Sequence, residues 1–494
     1  MSGNEDSAQT QNQDKQQSLG SRATTAVAWT TVGFGLSQGI RLASNLVLAR
    51  LLFPEAFGLM AIAGVLLQGL LLFSDFGIGP SIIQNKAGDD RNFLDTAWTM
   101  QCIRGLALTL ISVLVASPFA QFYEDDRLFL VVIAIGCSAF FQGLTSTKIF
   151  SVGRHLNLKR LTIIEVACQV IGSIVTIGWA LLSPTYWALA AGALATPISK
   201  VVLSQLALEG PVNRFCWHAP SAHAVFHYGK WIFLGTALTF FAGQSDRLIF
   251  AKLVPLDILG RYSMAAMIAI LPLTLFGRMT SRVIFPVYST VIREGRDLAP
   301  VFIRLRTSFL SAAGLICAIL VAAGPSIIEV MYDERYHEAG WMLQYLTLGS
   351  WLTLVQSTYG AAHLASARAR WVAAASFMKI VGIVVLVTIG YRTGGFEGAV
   401  LGYSASEFLR YLVLAFGGRV MNLPGLGQDV MLSSYVALSA ALGILVSEVS
   451  GAAAAGSLTS AIVIVATVTT LWVPLLYKHL GKSIAQIRNR ESAG

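Results

Sequence analysis

Residues 70–91 read LLLFSDFGIGPSIIQNKAGDDR. A solid apolar run meets Asp75, then Gly77, Gly79 and Pro80, and turns basic and wet at Lys86 and Arg91. Gly and Pro end a helix where its backbone can reach water, and Lys and Arg hold that end at an interface. The stretch reads as the exit of a membrane-spanning helix. Asp75 lies within a turn of that exit, as an interfacial acid or as a buried functional one.

The same pattern recurs along the chain. Hydrophobic residues make up 55% of the 494 residues and charged residues 12%, against about 25% charged in a soluble domain. Crossing a bilayer core takes about 20 mostly apolar residues as helix. Fourteen candidate spans follow, near 27–49, 57–78, 97–117, 128–147, 161–182, 186–208, 228–250, 258–285, 302–323, 339–361, 371–390, 396–417, 430–449 and 456–476. All read as helices, because an open strand cannot satisfy its backbone in lipid. The fold class is an all-α polytopic membrane protein, with two six-helix lobes around a central cavity plus a C-terminal helix pair.

The expected organisation is a polar tail at 1–26, a first lobe at 27–208 and a linker at 209–227. A second lobe at 228–417, an extra helix pair at 428–477 and a tail at 478–494 follow. The tail at 1–26 lacks the apolar region and small-residue cleavage site of a secretory signal, so no cleaved leader is expected. With the N-terminus inside, Lys and Arg divide 21 inside against 7 outside, which puts both termini in the cytoplasm. The net charge of +9 therefore sets orientation, and nucleic acid is not an expected partner. Five scattered cysteines, with no CxxC or Cys/His cluster, argue against a metal site or a disulfide framework. No cofactor is expected.

Ala49–Gly58, ARLLFPEAFG, aligns without gaps on Ala251–Gly260, AKLVPLDILG, each after a span. Six helices separate the copies, so both point the same way through the membrane. That predicts parallel lobes, with a substrate site between them.

Charges inside spans are expensive and mark cavities or pairs. The basic set is Arg41, Arg104, Lys200, Arg247, Arg278, Arg282, Lys379 and Arg410; the acidic set is Glu165, Asp246 and Glu407. The excess of cations suits an anionic substrate. In the first span Ser37, Gln38, Arg41, Ser44 and Asn45 share one helical face, a possible cavity wall. Arg278 and Arg282, four apart, share a face and could clamp a diphosphate or snorkel to headgroups. Glu407 and Arg410, three apart, can neutralise each other. The substrate-binding candidates are Arg41, Arg278, Arg282, Arg247, Arg104, Lys379, Gln38 and Asn45. Asp75, Asp246 and Glu165 are candidates for coupling or gating. No phosphate-binding loop, HExxH or GxSxG on a strand-turn-helix occurs, and loops outside the membrane are short, so an enzyme is not expected.

The run Ser74–Ile78, followed by Ser81–Gln84 and Lys86, resembles the signature of bacterial polysaccharide exporters. So do Arg282–Tyr288 and Leu51–Gly58. These are the Wzx-type lipid-linked oligosaccharide flippases of the multidrug/oligosaccharidyl-lipid/polysaccharide transporter superfamily. The similarity covers roughly 20–420 and is strongest to colanic-acid-type and succinoglycan-type exporters. The resemblance implies flipping of undecaprenyl-diphosphate-linked repeat units across the bacterial inner membrane by alternating access. Arg41 and Arg278 then occupy places comparable to the family's cavity arginines. The implied partners are the lipid-linked oligosaccharide, membrane lipid, and a polysaccharide polymerase and chain-length regulator. Two readings stand beside it: a cation-coupled multidrug antiporter of the same broad fold, and a polytopic glycan polymerase or ligase.

Overall fold

The computed structural model describes residues 29–74, 77–85, 88–154, 158–452 and 456–477, with the side chains of 84 and 224–239 left aside. The expected tails, Lys86 and Asp75 lie outside the described residues. Among those described, the chain is helical and contains no strand. In order come α1 (29–51), α2 (Pro54–Phe73), α3 (Ile78–Gln84), α4 (Arg91–Tyr123), α5 (Arg127–Gly143) and α6 (Lys148–Arg154). Next are α7 (Leu158–Leu182), α8 (Trp187–Leu206), α9 (Ala219–Leu253), α10 (Leu256–Ala269), α11 (Leu271–Met279) and α12 (Phe285–Arg293). The last five are α13 (Leu298–Met331), α14 (Ala339–Ala365), α15 (Ala369–Val420), α16 (Leu426–Val449) and α17 (Ser457–Leu476). Each expected span coincides with one of these helices or a broken run of them. By length and composition nine stretches of described helix can cross a membrane, ten if α5 and α6, bent by 58°, form one span.

The opening stretch breaks where its breakers stand, but earlier than expected. α2 ends at Phe73; the Ser74 amide and hydroxyl both donate to the Leu70 carbonyl. Gly77 then takes φ 65°, a left-handed conformation that suits glycine, and α3 starts after it. The stop is therefore built into the backbone.

α15 has 52 residues, about 78 Å if straight, far more than the ~30 Å bilayer core. It turns at Gly394 and Gly395 (φ 59°, ψ −144°), and its two arms are the eleventh and twelfth expected spans. Gly390 packs backbone to backbone against Gly398, and Gly402 against Leu386, so side chains there would block the hairpin.

The eighth expected span is broken rather than smoothly kinked. α10 ends before Pro272, and a π turn at Thr280–Ile284 precedes Pro286 in α12. That wide turn holds Arg282, while Arg278 sits in α11.

The chain forms two compact units, 1–240 and 241–494. Within the first, α4 packs on α5, α7 on α8 and α5 on α8. Within the second, α13 packs on α14, and α14 on α15, the same order of neighbours. The aligned acids Glu55 and Asp257 each enter an ion pair, though with differently placed arginines. In the first unit Glu55 on α2 meets Arg127 on α5 at 3.2 Å. In the second, Arg261 on α10 bridges Asp257 at 3.2 Å and Glu338, which precedes α14. α16 and α17 pack on α13.

The segment between α8 and α9 lies extended along the first unit. Successive side groups of an extended chain face opposite ways, so every second amide points to one side. The amides of Arg214, Cys216 and His218 donate to Asp95 Oδ1, Thr99 Oγ1 and Thr96 Oγ1, each at 3.0 Å. All three acceptors belong to the first turns of α4. α9 consequently begins at Ala219, before the expected span.

Candidate functional site

The first unit holds a cavity of about 310 Å³ among α2, α4, α5, α6 and α8. Arg104, Lys200, Gln101, Gln142 and Thr145 supply its polar groups, Phe150 part of its apolar wall, and no carboxylate lines it among the described residues. Arg104 Nη2 donates to the Leu71 carbonyl at 2.6 Å, and its Nε to Ser74 Oγ at 2.9 Å. A cation at a helix C-terminus meets the negative end of the backbone dipoles. The break in the opening stretch thus supplies the acceptors that orient Arg104.

A smaller cavity of about 140 Å³ lies in the second unit, lined by Asp246, Arg247, Tyr262, Tyr403, Ser404 and Glu407 among others. Tyr262 donates to Asp246 Oδ2 at 2.6 Å, while the buried Oδ1 has no partner among the described residues. Arg247 donates to Gln244 Oε1 at 3.2 Å. Glu407 meets Arg410, three residues on, at 3.9 Å, the pair that the spacing allowed. Its closer partner is Lys379, Nζ to Oε1 at 2.6 Å with both side chains buried, and Gln356 Nε2 donates to its other oxygen at 2.7 Å. Lys379, expected as a free cavity cation, is therefore neutralised by a carboxylate. Sequence spacing favoured the local pair three residues apart; helix packing brought a better one across the α15 hairpin.

The remaining candidates do not converge on either cavity. Arg41 and Arg282 are exposed, as is Glu165. Arg278 is half-buried on α11, and Gln38 and Asn45 are half-buried on α1. Asp75 lies outside the described residues.

Two further buried cations, outside the expected candidates, take structural posts. Arg306 is fully buried in α13 and pairs with Asp429 of α16. It also donates to Thr358 Oγ1 at 2.8 Å and to the carbonyls of Val355 and Gly425, and lies 4.4 Å from the Tyr359 ring centre. Tyr359 and Tyr411 complete the shell by donating to Asp429 Oδ2 at 2.8 and 2.9 Å. Lys148 Nζ donates to the carbonyls of Gln205 and Leu208, both at 3.2 Å, closing the C-terminal end of α8. Arg306 stands inside its span in the sequence, which was the available signal; its partner, 123 residues on, had none.

The chain is similar to several known proteins. It is 22% identical over 431 residues to the lipopolysaccharide biosynthesis protein WzxC of Escherichia coli (strain K12), covering 83% of each chain. It is 21% identical over 343 residues to the succinoglycan biosynthesis transport protein ExoT of Rhizobium meliloti (strain 1021), covering 67% of each. Its fold is similar to that of the lipid II flippase MurJ in an inward closed conformation. The TM-score is 0.68 at 13% identity, over 92% of this chain and 99% of that one. An inward-facing multidrug resistance MATE family transporter of the MOP superfamily matches at TM-score 0.62 and 13% identity, over 83% and 99%. With nine stretches of described helix long and apolar enough to span, the chain is a multi-pass membrane protein. The polysaccharide biosynthesis protein family matches residues 47–340, more than half of the sequence, and the chain belongs to that family.

Proposed function

We propose that the protein flips an undecaprenyl-diphosphate-linked oligosaccharide across the bacterial inner membrane, both termini in the cytoplasm, by alternating access. The observation that carries the reading is how the two units handle positive charge. In the second unit the buried cations Arg306 and Lys379 each hold a carboxylate. In the first unit Arg104 and Lys200 line a cavity that has no carboxylate among the described residues. Such a cavity attracts an anionic cargo and repels a cationic drug. Names of similar proteins point the same way: a lipopolysaccharide biosynthesis protein, a succinoglycan transport protein and a lipid II flippase.

Under this reading Arg41, Arg278, Arg282, Arg247 and Arg104 attend the anionic headgroup along its path, with Gln38 and Asn45 as polar contacts. Asp246, with its unpartnered buried oxygen, is the proposed coupling group. A polymerase and a chain-length regulator would take the flipped unit onward. The same buried Asp246 favours a second reading, a cation-coupled multidrug antiporter, and a MATE transporter shares the fold.

Leaflet-specific labelling of the lipid-linked intermediate in deletion cells tests the proposal. The intermediate should accumulate on the cytoplasmic side and clear when the wild-type chain is restored. Arg41→Ala and Arg278→Ala should block clearance at normal protein levels. Altered drug efflux with normal polysaccharide would replace the flippase by the antiporter.

A further inference from the structure

Lys200 sits six residues before the end of α8, about 9 Å along the axis, half-buried and lining the first unit's cavity. It makes no hydrogen bond or ion pair among the described residues. Nearby cations differ: Arg104 is held by Leu71 and Ser74, and Lys148 by the carbonyls of Gln205 and Leu208. An ammonium inside an apolar bundle is costly unless something polar faces it.

A second orphan shares the cavity. Gln101 Nε2 donates to the Gln142 carbonyl at 3.4 Å, but its buried Oε1 has no partner among the described residues. The site therefore offers a half-buried cation with no protein partner among the described residues and a buried neutral acceptor left unsatisfied. Lys200 calls for an oxyanion and Gln101 for a hydroxyl donor. A diphosphate satisfies only the first, and the neutral sugar that it carries would have to enter beside it to satisfy the second. A sugar bearing an acid group satisfies both, and its C–H face can lie on the apolar Phe150 ring. The volume, about 310 Å³, is at the small end of ligand pockets (about 300–1,000 Å³), enough for one ring and not for a repeat unit.

We propose that Lys200 and Gln101 form a subsite that reads one acidic sugar, of the uronic acid class, in the transported glycan. The inference rests on the export reading above and adds the sugar class to it. Lys200 contacts the carboxylate and Gln101 an adjacent hydroxyl.

The test uses the full-length chain in lipid nanodiscs and calorimetric titration with glucuronate, glucose and geranyl diphosphate. Glucuronate should bind at least about tenfold more tightly than glucose, the discrimination expected of one charge-assisted contact. Lys200→Met should erase that preference, Lys200→Arg should keep most of it, and Gln101→Leu should weaken glucuronate without touching the diphosphate. Melting temperatures check that each variant is folded; if Lys200→Met is not, Lys200→Arg and Gln101→Leu decide. Equal glucuronate binding by wild type and Lys200→Met overturns the subsite, as does an absence of glucuronate binding. A Lys200→Met loss confined to geranyl diphosphate also overturns it and gives the cavity to the lipid carrier. The leaflet assay reads export separately, so a failed subsite leaves that result standing, and a failed export reading leaves the binding data interpretable.

Discussion

The Lys379–Glu407 pair shows what a buried charge asks of its neighbours. Each side chain is nearly sealed, 6% and 7% exposed, so removing one partner strands the other in an apolar interior. Lys379→Met or Glu407→Gln alone should destabilise the second unit by about 3–5 kcal/mol. The double variant should recover much of that loss, since two neutral groups leave no bare charge. Thermal unfolding in detergent reads the difference; additive losses would mean that the two groups do not act as a pair. Lys379 and Glu407 were each legible as intramembrane charges. Their partnership was not, because it depends on how the two arms of α15 lie together.

At the scale of an element, α15 gives a sharp backbone test. Gly395 (φ 59°, ψ −144°) is in a region open essentially to glycine alone, while Gly394 (φ −136°, ψ 22°) keeps the sign of φ that other residues adopt. Gly395→Ala should cost about 1–3 kcal/mol and Gly394→Ala much less, measured as a drop in melting temperature. Equal effects would mean that the turn is not held at Gly395. A bulkier side chain at Gly398 should do more harm, because the arms touch there backbone to backbone. Gly314 in α13 makes a similar demand: an added Cβ would stand 2.5 Å from Trp472 of α17. Gly314→Val should therefore overpack that contact and destabilise by about 1–3 kcal/mol in the same assay. The sequence marked the break between the eleventh and twelfth spans. It did not show the π turn that interrupts the eighth span at Thr280–Ile284.

For the molecule as a whole, α16 and α17 are part of the second unit's core rather than an appendage. Trp472 of α17 is fully buried and donates from Nε1 to Ser439 Oγ of α16 at 3.0 Å. Asp429 of α16 is the counter-ion of Arg306. Truncation after Leu423 should leave Arg306 bare and strip the chain from the membrane, read as a fall in protein level on immunoblots. Arg306→Met in the truncated chain should restore part of it. Full levels in the truncated chain alone would refute the structural role.

The sequence by itself determined the class and the spans, because lipid forces every spanning backbone into a closed helix and apolar length is countable. The break after the second span was equally readable, since Gly77 and its neighbours act locally on the chain. Tertiary structure decided which charges are free. Lys379 and Arg306 found carboxylates 28 and 123 residues away, Arg104 found the end of another helix, and Lys200 found no partner among the described residues. Charge is a property of a residue, but neutralisation is a property of a contact, and contacts between distant helices are settled only by packing.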